Sequence, residues 1–327
     1  MTGLVDAPLI AVAVITRDRP VMFARLLDAL GGLDPPLGAR VQFVLVENGP
    51  AFRHGAAARA LERASGCRCH TLAEPRLGIP LARNAALDCA LRIGATHLAF
   101  IDDDELPARD WLHQLWRGKA ASDAALVSGP VLPTPEPGAA LSLRGVRILA
   151  GLRRCAEMRA ARNRMRAETG QDGGIVASTN NWLCDLAPLR AHGLRFRDEI
   201  GLSGGSDTAF WHDLRALGGQ SAWVPGAVVT ETLPASRLTL AAQLRRARHQ
   251  TLDEWRRRIG AGHHRSALRS VPFILTNLIR GAVQLVLGLV VPVPHLAEGA
   301  RHLGRGLGRL DGLRGRPGHH YGNIDGH

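Results

Sequence analysis

The run Asp102-Asp103-Asp104-Glu105 carries the densest charge in the chain, and it follows directly on the apolar Leu98-Ala99-Phe100-Ile101. Four apolar residues ending at a turn signal read as a short buried strand. Adjacent carboxylates repel, so four in a row are costly unless a cation or a basic group compensates them. Side chains alternate across a strand, which would put Asp102 and Asp104 on one face and Asp103 on the other. Two hard oxygen ligands on a shared face suit Mg²⁺ or Mn²⁺, with substrate phosphates completing the shell. Taken alone, an Asp triplet marks a solvated acidic turn. The segments on either side of it make it a site.

Those segments alternate strand and helix. Residues 9–16 are a continuous apolar run, as in a strand buried on both faces. Thr16-Arg17-Asp18-Arg19-Pro20 breaks the run, and Pro20 suits the first turn of a helix. Met22, Phe23, Leu26, Leu27 and Leu30 then repeat at helical spacing up to Gly31-Gly32. A second buried strand over 41–46 ends in Glu47-Asn48-Gly49-Pro50, a turn. Residues 56–64 read as a helix, 67–72 as a third strand, and 81–87 as a helix stopped by Gly94. Beyond the acids come a helix at 111–119, a strand at 125–128 and a Pro-rich loop at 130–137. An Arg-rich helix at 141–168 and a strand at 175–183 follow. A polar loop at 201–207 leads into a helix at 208–217 and two strand-like pieces at 221–225 and 227–231. This alternation predicts parallel strands joined by right-handed crossovers. In such sheets ligands bind beyond the carboxyl ends of the strands. Thr16, Arg17, Glu47, Asn48, Asp102 and Asp104 all fall at such ends.

Composition narrows the chemistry. The formal net charge of +12 is carried almost wholly by arginine, Lys119 being the sole lysine. Schiff-base chemistry and a P-loop are therefore excluded, and no G-x-G-x-x-G follows the first strand. A basic balance implies anionic partners: a nucleotide or diphospho substrate, anionic lipid, or nucleic acid. Nucleic acid is set aside because aromatic residues make up only 4% of the chain and no recognised binding motif is present. The five cysteines, Cys67, Cys69, Cys89, Cys155 and Cys184, are odd in number and contain no C-x-x-C. They predict a reducing, cytoplasmic compartment and structural thiols.

The C-terminal part differs in character. Residues 240–258 read as an Arg-rich helix. Residues 273–293 are apolar but interrupted by Asn277, Arg280 and Gln284. The uninterrupted piece is too short to span a bilayer, which needs about 20 apolar residues. It could dip into one leaflet or pack on the preceding domain, a peripheral contact with an anionic membrane on its inner face. Residues 302–327 are rich in Gly and Arg and read as loose at the end. His263-His264 and His319-His320 read as solvated.

At this point the chain resembles a family-2 glycosyltransferase of the GT-A fold, of the bacterial exopolysaccharide or surface-glycan type. Ile15-Thr16-Arg17-Asp18-Arg19-Pro20 resembles the opening T-x-x-R-P strand end, and Val46-Glu47-Asn48-Gly49 the second strand end. Residues 74–84, ending Leu81-Ala82-Arg83-Asn84, resemble the G-x-x-x-A-R-N segment. Asp102-Asp103-Asp104 resembles the D-x-D metal motif, and Gly204-Gly205-Ser206-Asp207-Thr208-Ala209-Phe210 resembles G-G-E-D-T-D-F. The resemblance covers roughly residues 9–250.

It implies an α/β architecture with a mostly parallel, Rossmann-like sheet flanked by helices. A GT-A domain would span 1–240 and a helical, partly apolar tail 241–327. It also implies a hexosyltransferase that moves a sugar, with inversion, from a nucleotide-sugar (UDP-linked in expectation) to a glycan or lipid-linked acceptor. The donor-binding set would be Thr16, Arg17, Glu47, Asn48, Arg76, Arg83, Asn84, Asp102 and Asp103. Asp102, Asp104 and Glu231 would hold Mn²⁺ or Mg²⁺, and Asp207 would be the general base. On the residues alone Asp207 and Ser206 read as helix caps. Ser206 also stands where the family has Glu, which keeps open a second reading as a catalytically degenerate scaffold at the membrane.

Overall fold

The computed structural model describes residues 7–176, 179–201, 205–260 and 270–316. In chain order the regular elements are β1 (Leu9–Thr16), α1 (Pro20–Gly31), β2 (Arg40–Glu47), α2 (Gly55–Ser65), β3 (Cys69–Ala73), α3 (Ile79–Arg92), β4 (His97–Asp102), β5 (Glu105–Pro107), α4 (Trp111–Ala120), β6 (Leu126–Ser128), β7 (Val131–Pro135) and α5 (Leu143–Glu168). Then come β8 (Asn181–Asp185), α6 (Leu186–His192), α7 (Ser206–Ala216), β9 (Ser221–Trp223), β10 (Val229–Leu233), α8 (Leu240–Gly260), α9 (Ser270–Val290) and α10 (Pro292–Leu313).

Seven strands form one sheet in the order β3-β2-β1-β4-β8-β6-β9. Strands β1 to β4 pair in parallel, and β8 is antiparallel to both of its neighbours. The chain leaves β1 towards β2 and β3, then returns to β4 on the other side of β1. That reversal opens a crevice at the carboxyl ends of β1 and β4, where ligands of open α/β sheets bind. Register fixes what lines it. Ile15 stands beside Asp102, and Thr16 beside Glu47.

Alternation along β1 builds two cores. Leu9, Ala11 and Ala13 join one layer, with Ala86, Leu87, Leu189, Phe210 and Leu214 from α3, α6 and α7. Ile10, Val12 and Val14 join the other, with Phe23, Leu27, Leu61, Trp111 and Leu115 from α1, α2 and α4. A strand covered on both faces needs the continuous apolar run that the sequence has.

The chain divides into two compact units. Among the described residues, one takes in those up to Leu132 and Arg159–Glu231; the other takes in Pro133–Met158 and those from Thr232 on. The second has its own small core of Ile148, Leu149, Leu152, Leu233, Leu238 and Ala297.

Several expectations are corrected. The Pro-rich stretch 130–137 is not a loop but contains strand β7, at the edge of a small sheet ordered β5-β10-β7. An edge strand tolerates Pro133 and Pro135 because one row of its N–H groups has no ladder partner to lose. Of the strand read at 175–183, β8 takes in Asn181–Asp185 and residues 177–178 lie outside the described residues; β3 begins at Cys69 rather than at 67. Helix α7 begins at Ser206, two residues early, with Gly205 as its N-cap in the left-handed region (φ 96°). Ser206 and Asp207 are thus first-turn residues and not caps.

The helical tail expected after residue 240 is present, and it includes α10. Residues 302–313 are helical, and their glycines are the packing surface. A Cβ on Gly304 would lie 2.3 Å from the Leu244 carbonyl oxygen of α8, and one on Gly312 would lie 2.2 Å from Trp255. Gly299 and Gly306 seat Leu285 and Leu278 of α9 in the same way. Glycine weakens an isolated helix by about 1 kcal/mol, but it lets neighbouring backbones approach closely. Residues 317–327, including His319 and His320, lie outside the described residues, as do His263 and His264.

Gly308 tests this packing, since an added Cβ would stand 2.2 Å from the Arg248 carbonyl oxygen. Backbone cannot step aside as a side-chain tip can, so overpacking outweighs the gain in helix propensity. Gly308→Ala is expected to lower stability by about 1–3 kcal/mol, read as a lower urea midpoint at unchanged slope.

Candidate active site

The acidic run sits where β4 ends, and each acid meets a different partner. Asp102 closes the strand, Asp103 and Asp104 form the turn, and Glu105 opens β5. Strand alternation therefore stops at Asp102. Asp103 is buried; it accepts from Thr16 Oγ1 (2.8 Å) and from Arg19 Nη1 (2.8 Å). The same Arg19 nitrogen lies 3.6 Å from Asp104 Oδ2. Arg19 precedes Pro20 of α1, and Asp18 before it takes a left-handed turn (φ 51°), a conformation that Asp tolerates better than most residues. Arg17, by contrast, pairs with its neighbour Asp18 at 3.8 Å.

Glu105 is 1% exposed. Its carboxyl oxygens accept from the Asp102 backbone N–H (3.1 Å) and from Asn180 Nδ2 (2.7 Å). Burial, then the adjacent Asp102 and Asp104, push its carboxyl well above the usual carboxylate range. Glu231 of β10 stands directly across from Glu105 in the antiparallel pair. Asp103 is also raised, chiefly by burial, with Arg19 opposing.

Asp102 is the open member of the run. Its side chain keeps 46% of its surface, and among the described residues nothing donates a hydrogen bond to its carboxylate. Poor solvation in the crevice, against the pull of Arg83 and with the push of Asp104, Asp103 and Asp207, raises it to about 7. That dependence on Asp207 ties the first turn of α7 to the end of β4.

Arg83 joins the same two elements. It is 8% exposed on α3. Nη1 donates to Ser206 Oγ (2.5 Å), Nη2 lies 4.0 Å from Asp102 Oδ1, and the guanidinium sits 5.6 Å over the Phe196 ring. A glutamate at position 206 would neutralise this arginine; the serine does not. Arg83 therefore keeps a positive charge in the crevice, facing a single, loosely held carboxylate.

Other expected residues serve as struts. Asn48 Nδ2 donates to the Glu74 and Arg76 carbonyls (3.0 and 2.9 Å), and its Oδ1 accepts from Gly78 N–H (3.0 Å). Glu47, fully buried, holds the Arg53 backbone N–H (2.6 Å) and Arg53 Nε (2.5 Å). Asn84 closes a reciprocal pair with the Phe196 backbone. Arg76 is turned to Glu74 in a bidentate pair. Trp182 is core, stacked on Phe100. Gly204 lies outside the described residues.

Thus Thr16, Asp102, Asp103, Asp104, Arg83, Ser206 and Asp207 come together, while Glu47, Asn48, Asn84 and Arg76 brace the loops behind them. Sequence reasoning missed Arg19 and Glu105 as members. Arg19 was visible as the last cation before Pro20, and Glu105 as the fourth acid of the run. The partnership of Arg53 with Glu47 had no local signal. No group of three potential metal ligands converges among the described residues. Asp102, and Asp104 beside Arg19, are hard oxygen donors of the number that Mg²⁺ or Mn²⁺ takes from protein when substrate phosphates supply the rest.

A parallel sheet with an acidic turn at its β4 end and an acid-bearing first helical turn facing it defines a GT-A glycosyltransferase. The architecture matches that of the mannosyltransferase PcManGT from Pyrobaculum calidifontis in complex with GDP-Man and Mn²⁺, at a TM-score of 0.60 and 17% identity, over 96% of this chain and 89% of that one. No family model matches the chain. Over 233 residues it is 30% identical to the succinoglycan biosynthesis protein ExoM of Rhizobium meliloti (strain 1021), covering 71% of this chain and 69% of that protein. The chain belongs to that family of bacterial exopolysaccharide glycosyltransferases.

Two outcomes test this geometry. Asn48→Ala strands three backbone groups at about 1–3 kcal/mol for each buried one; a urea melt is expected to show a loss of about 2–4 kcal/mol. Asp102 is raised from 3.8 to about 7 in the folded chain, so between those values the native state holds a proton that the unfolded chain has released. Its contribution to stability therefore falls as pH rises through that window. Asp102→Asn is expected to flatten that fall, read from urea midpoints at the two ends of the window.

Proposed function

We propose that the chain transfers a sugar, with inversion, from a nucleotide-sugar to a hydroxyl of a glycan or lipid-linked acceptor in exopolysaccharide synthesis. The observation that carries this reading is the meeting of Asp102, Arg83 and the Ser206-Asp207 turn at the carboxyl ends of β1 and β4. Residues 1–240 would carry the chemistry and 241–327 a helical tail. The five cysteines are unpaired, which agrees with a reducing, cytoplasmic setting.

The donor diphosphate lies across the strand ends, drawn by Arg83, with Arg17 at its rim; Thr16, Asp103, Arg76 and Asn84 position the loops around it. Glu47 and Asn48 shape the nucleoside side. Asp102 and Asp104 would hold Mn²⁺ or Mg²⁺, with Glu231 as a further oxygen. When bound, the cation supplies neutralisation of the charge that grows on the leaving diphosphate. Asp207 takes the proton of the acceptor hydroxyl. The acceptor oxygen then bonds to the anomeric carbon as its bond to the diphosphate breaks, and the nucleoside diphosphate departs with that electron pair. UDP is the favoured nucleotide by resemblance; the Pyrobaculum calidifontis structure holds GDP-Man.

Calorimetry with UDP and with GDP, each with and without Mn²⁺, tests the site. The expected result is Mn²⁺-dependent binding of one nucleotide, lost in Asp104→Ala. Asp207→Asn should keep that binding and slow sugar-nucleotide turnover by about 10²–10⁴-fold. Absence of nucleotide binding under every condition would overturn the reading in favour of the degenerate scaffold, and full turnover in Asp207→Asn would overturn Asp207 as the base.

A further inference from the structure

Helix α9 is the most apolar element of the second unit, with a mean hydropathy of 1.8 and only 22% of its apolar window buried. Its inner side, Ser270, Ile274, Asn277, Gly281 and Gly288, is buried. Its outer side exposes Val271, Leu275, Ile279, Val283, Val286 and Val290. Steps of three and four residues make these a single stripe along the whole helix. A contiguous apolar stripe of this length on a surface marks an interaction face.

The charge beside the stripe says what covers it. Arg280, the sole charged residue of α9, is exposed within it. Beside it a cavity of about 550 Å³ is lined by Arg280, Arg305, His302, Thr276, Asn277 and Glu254, among others. His302 shares a hydrogen bond with Asn277 (2.9 Å), and burial, then Arg305 and Arg280, hold its imidazole below the usual range. Two guanidinium groups thus converge on one opening at the edge of an apolar stripe. Neither forms an ion pair among the described residues. A second copy of this face would bring Arg280 against Arg280. A lipid phosphate satisfies both arginines while acyl chains take the stripe.

Spanning the bilayer is disfavoured by what α9 carries on its back. Leu303 and Leu296 of α10 close against Gly281 and Gly288, and α10 bears Arg301, Arg305 and Arg309. Crossing would draw those charges into hydrocarbon. A helix lying in the interface immerses one face by about 5–10 Å, and Arg280 can extend its stem over the apolar surface to reach the headgroups.

We infer that α9 lies in the plane of an anionic lipid leaflet, its outer stripe among the acyl chains and Arg280 and Arg305 on headgroup phosphates. The surface would hold the enzyme beside a lipid-borne acceptor, and it stands whether or not the donor chemistry above is correct.

The test is co-sedimentation of the full chain with vesicles of phosphatidylcholine alone and of phosphatidylcholine mixed with phosphatidylglycerol. The chain is expected to pellet with the mixed vesicles and to be released by alkaline carbonate. Each arginine at an anionic surface contributes about 1 kcal/mol. Arg280→Gln with Arg305→Gln should therefore cut partition into mixed vesicles on the order of 25-fold, leaving the weak binding to phosphatidylcholine unchanged. Ile279→Asp with Val286→Asp should abolish both. The milder Leu275→Ser with Val286→Ser should reduce both, guarding against a folding artefact. A wild-type chain that stays in the supernatant, variants that pellet like wild type, or resistance to carbonate would each overturn the inference. So would a lipid-free dimer that Ile279→Asp with Val286→Asp dissolves.

Discussion

Four carboxylates at the end of one strand set the terms for the rest of the first unit. Left alone they would repel and drive the turn apart. Each is compensated in a different way. Thr16 and Arg19 hold Asp103, Arg19 reaches Asp104, and a backbone N–H and Asn180 take up Glu105. Among the described residues, Asp102 receives only the distant Arg83. The uneven distribution is the functional point. Three acids are secured by the scaffold, and the fourth is left in the crevice with affinity for whatever positive charge arrives.

Arg83 is the counterpart of that choice. It bridges the β4 end to the first turn of α7 through Ser206, and the hydroxyl satisfies its geometry without cancelling its charge. A buried guanidinium with a neutral partner attracts anions, whereas one locked to a carboxylate does not. The crevice thus presents an acid and a base side by side, as a diphosphate escorted by a cation requires. The serine that looked like a loss in the sequence becomes a partner to this arginine.

The second unit rests on a different constraint, the absence of side chains. Glycines at 304, 308 and 312 stand one turn apart and admit α8; those at 281, 288, 299 and 306 bring α9 and α10 together. Close backbone approach compensates for the weak helix propensity of these residues. It also fixes which face of α9 is buried, and so which face is left to meet another surface.

Legibility followed the range of the forces involved. Strand β1, helix α1 and the acidic run were readable because their signals are local: a continuous apolar run, a 3.6-residue period, a cluster of like charges. The order of motifs along the chain carried the family and the fold. The sequence could not say that β8 runs antiparallel, that β7 accommodates two prolines at a sheet edge, or that the glycines of the helical tail are its packing surface. Those depend on neighbours far along the chain. The site divides in the same way. Residue types determined by themselves that Thr16, Glu47, Asn48 and the acids of the run would sit at strand ends. Only the tertiary structure decided which of them are tied and which stay open, because a carboxylate's role depends on the donors that packing brings to it.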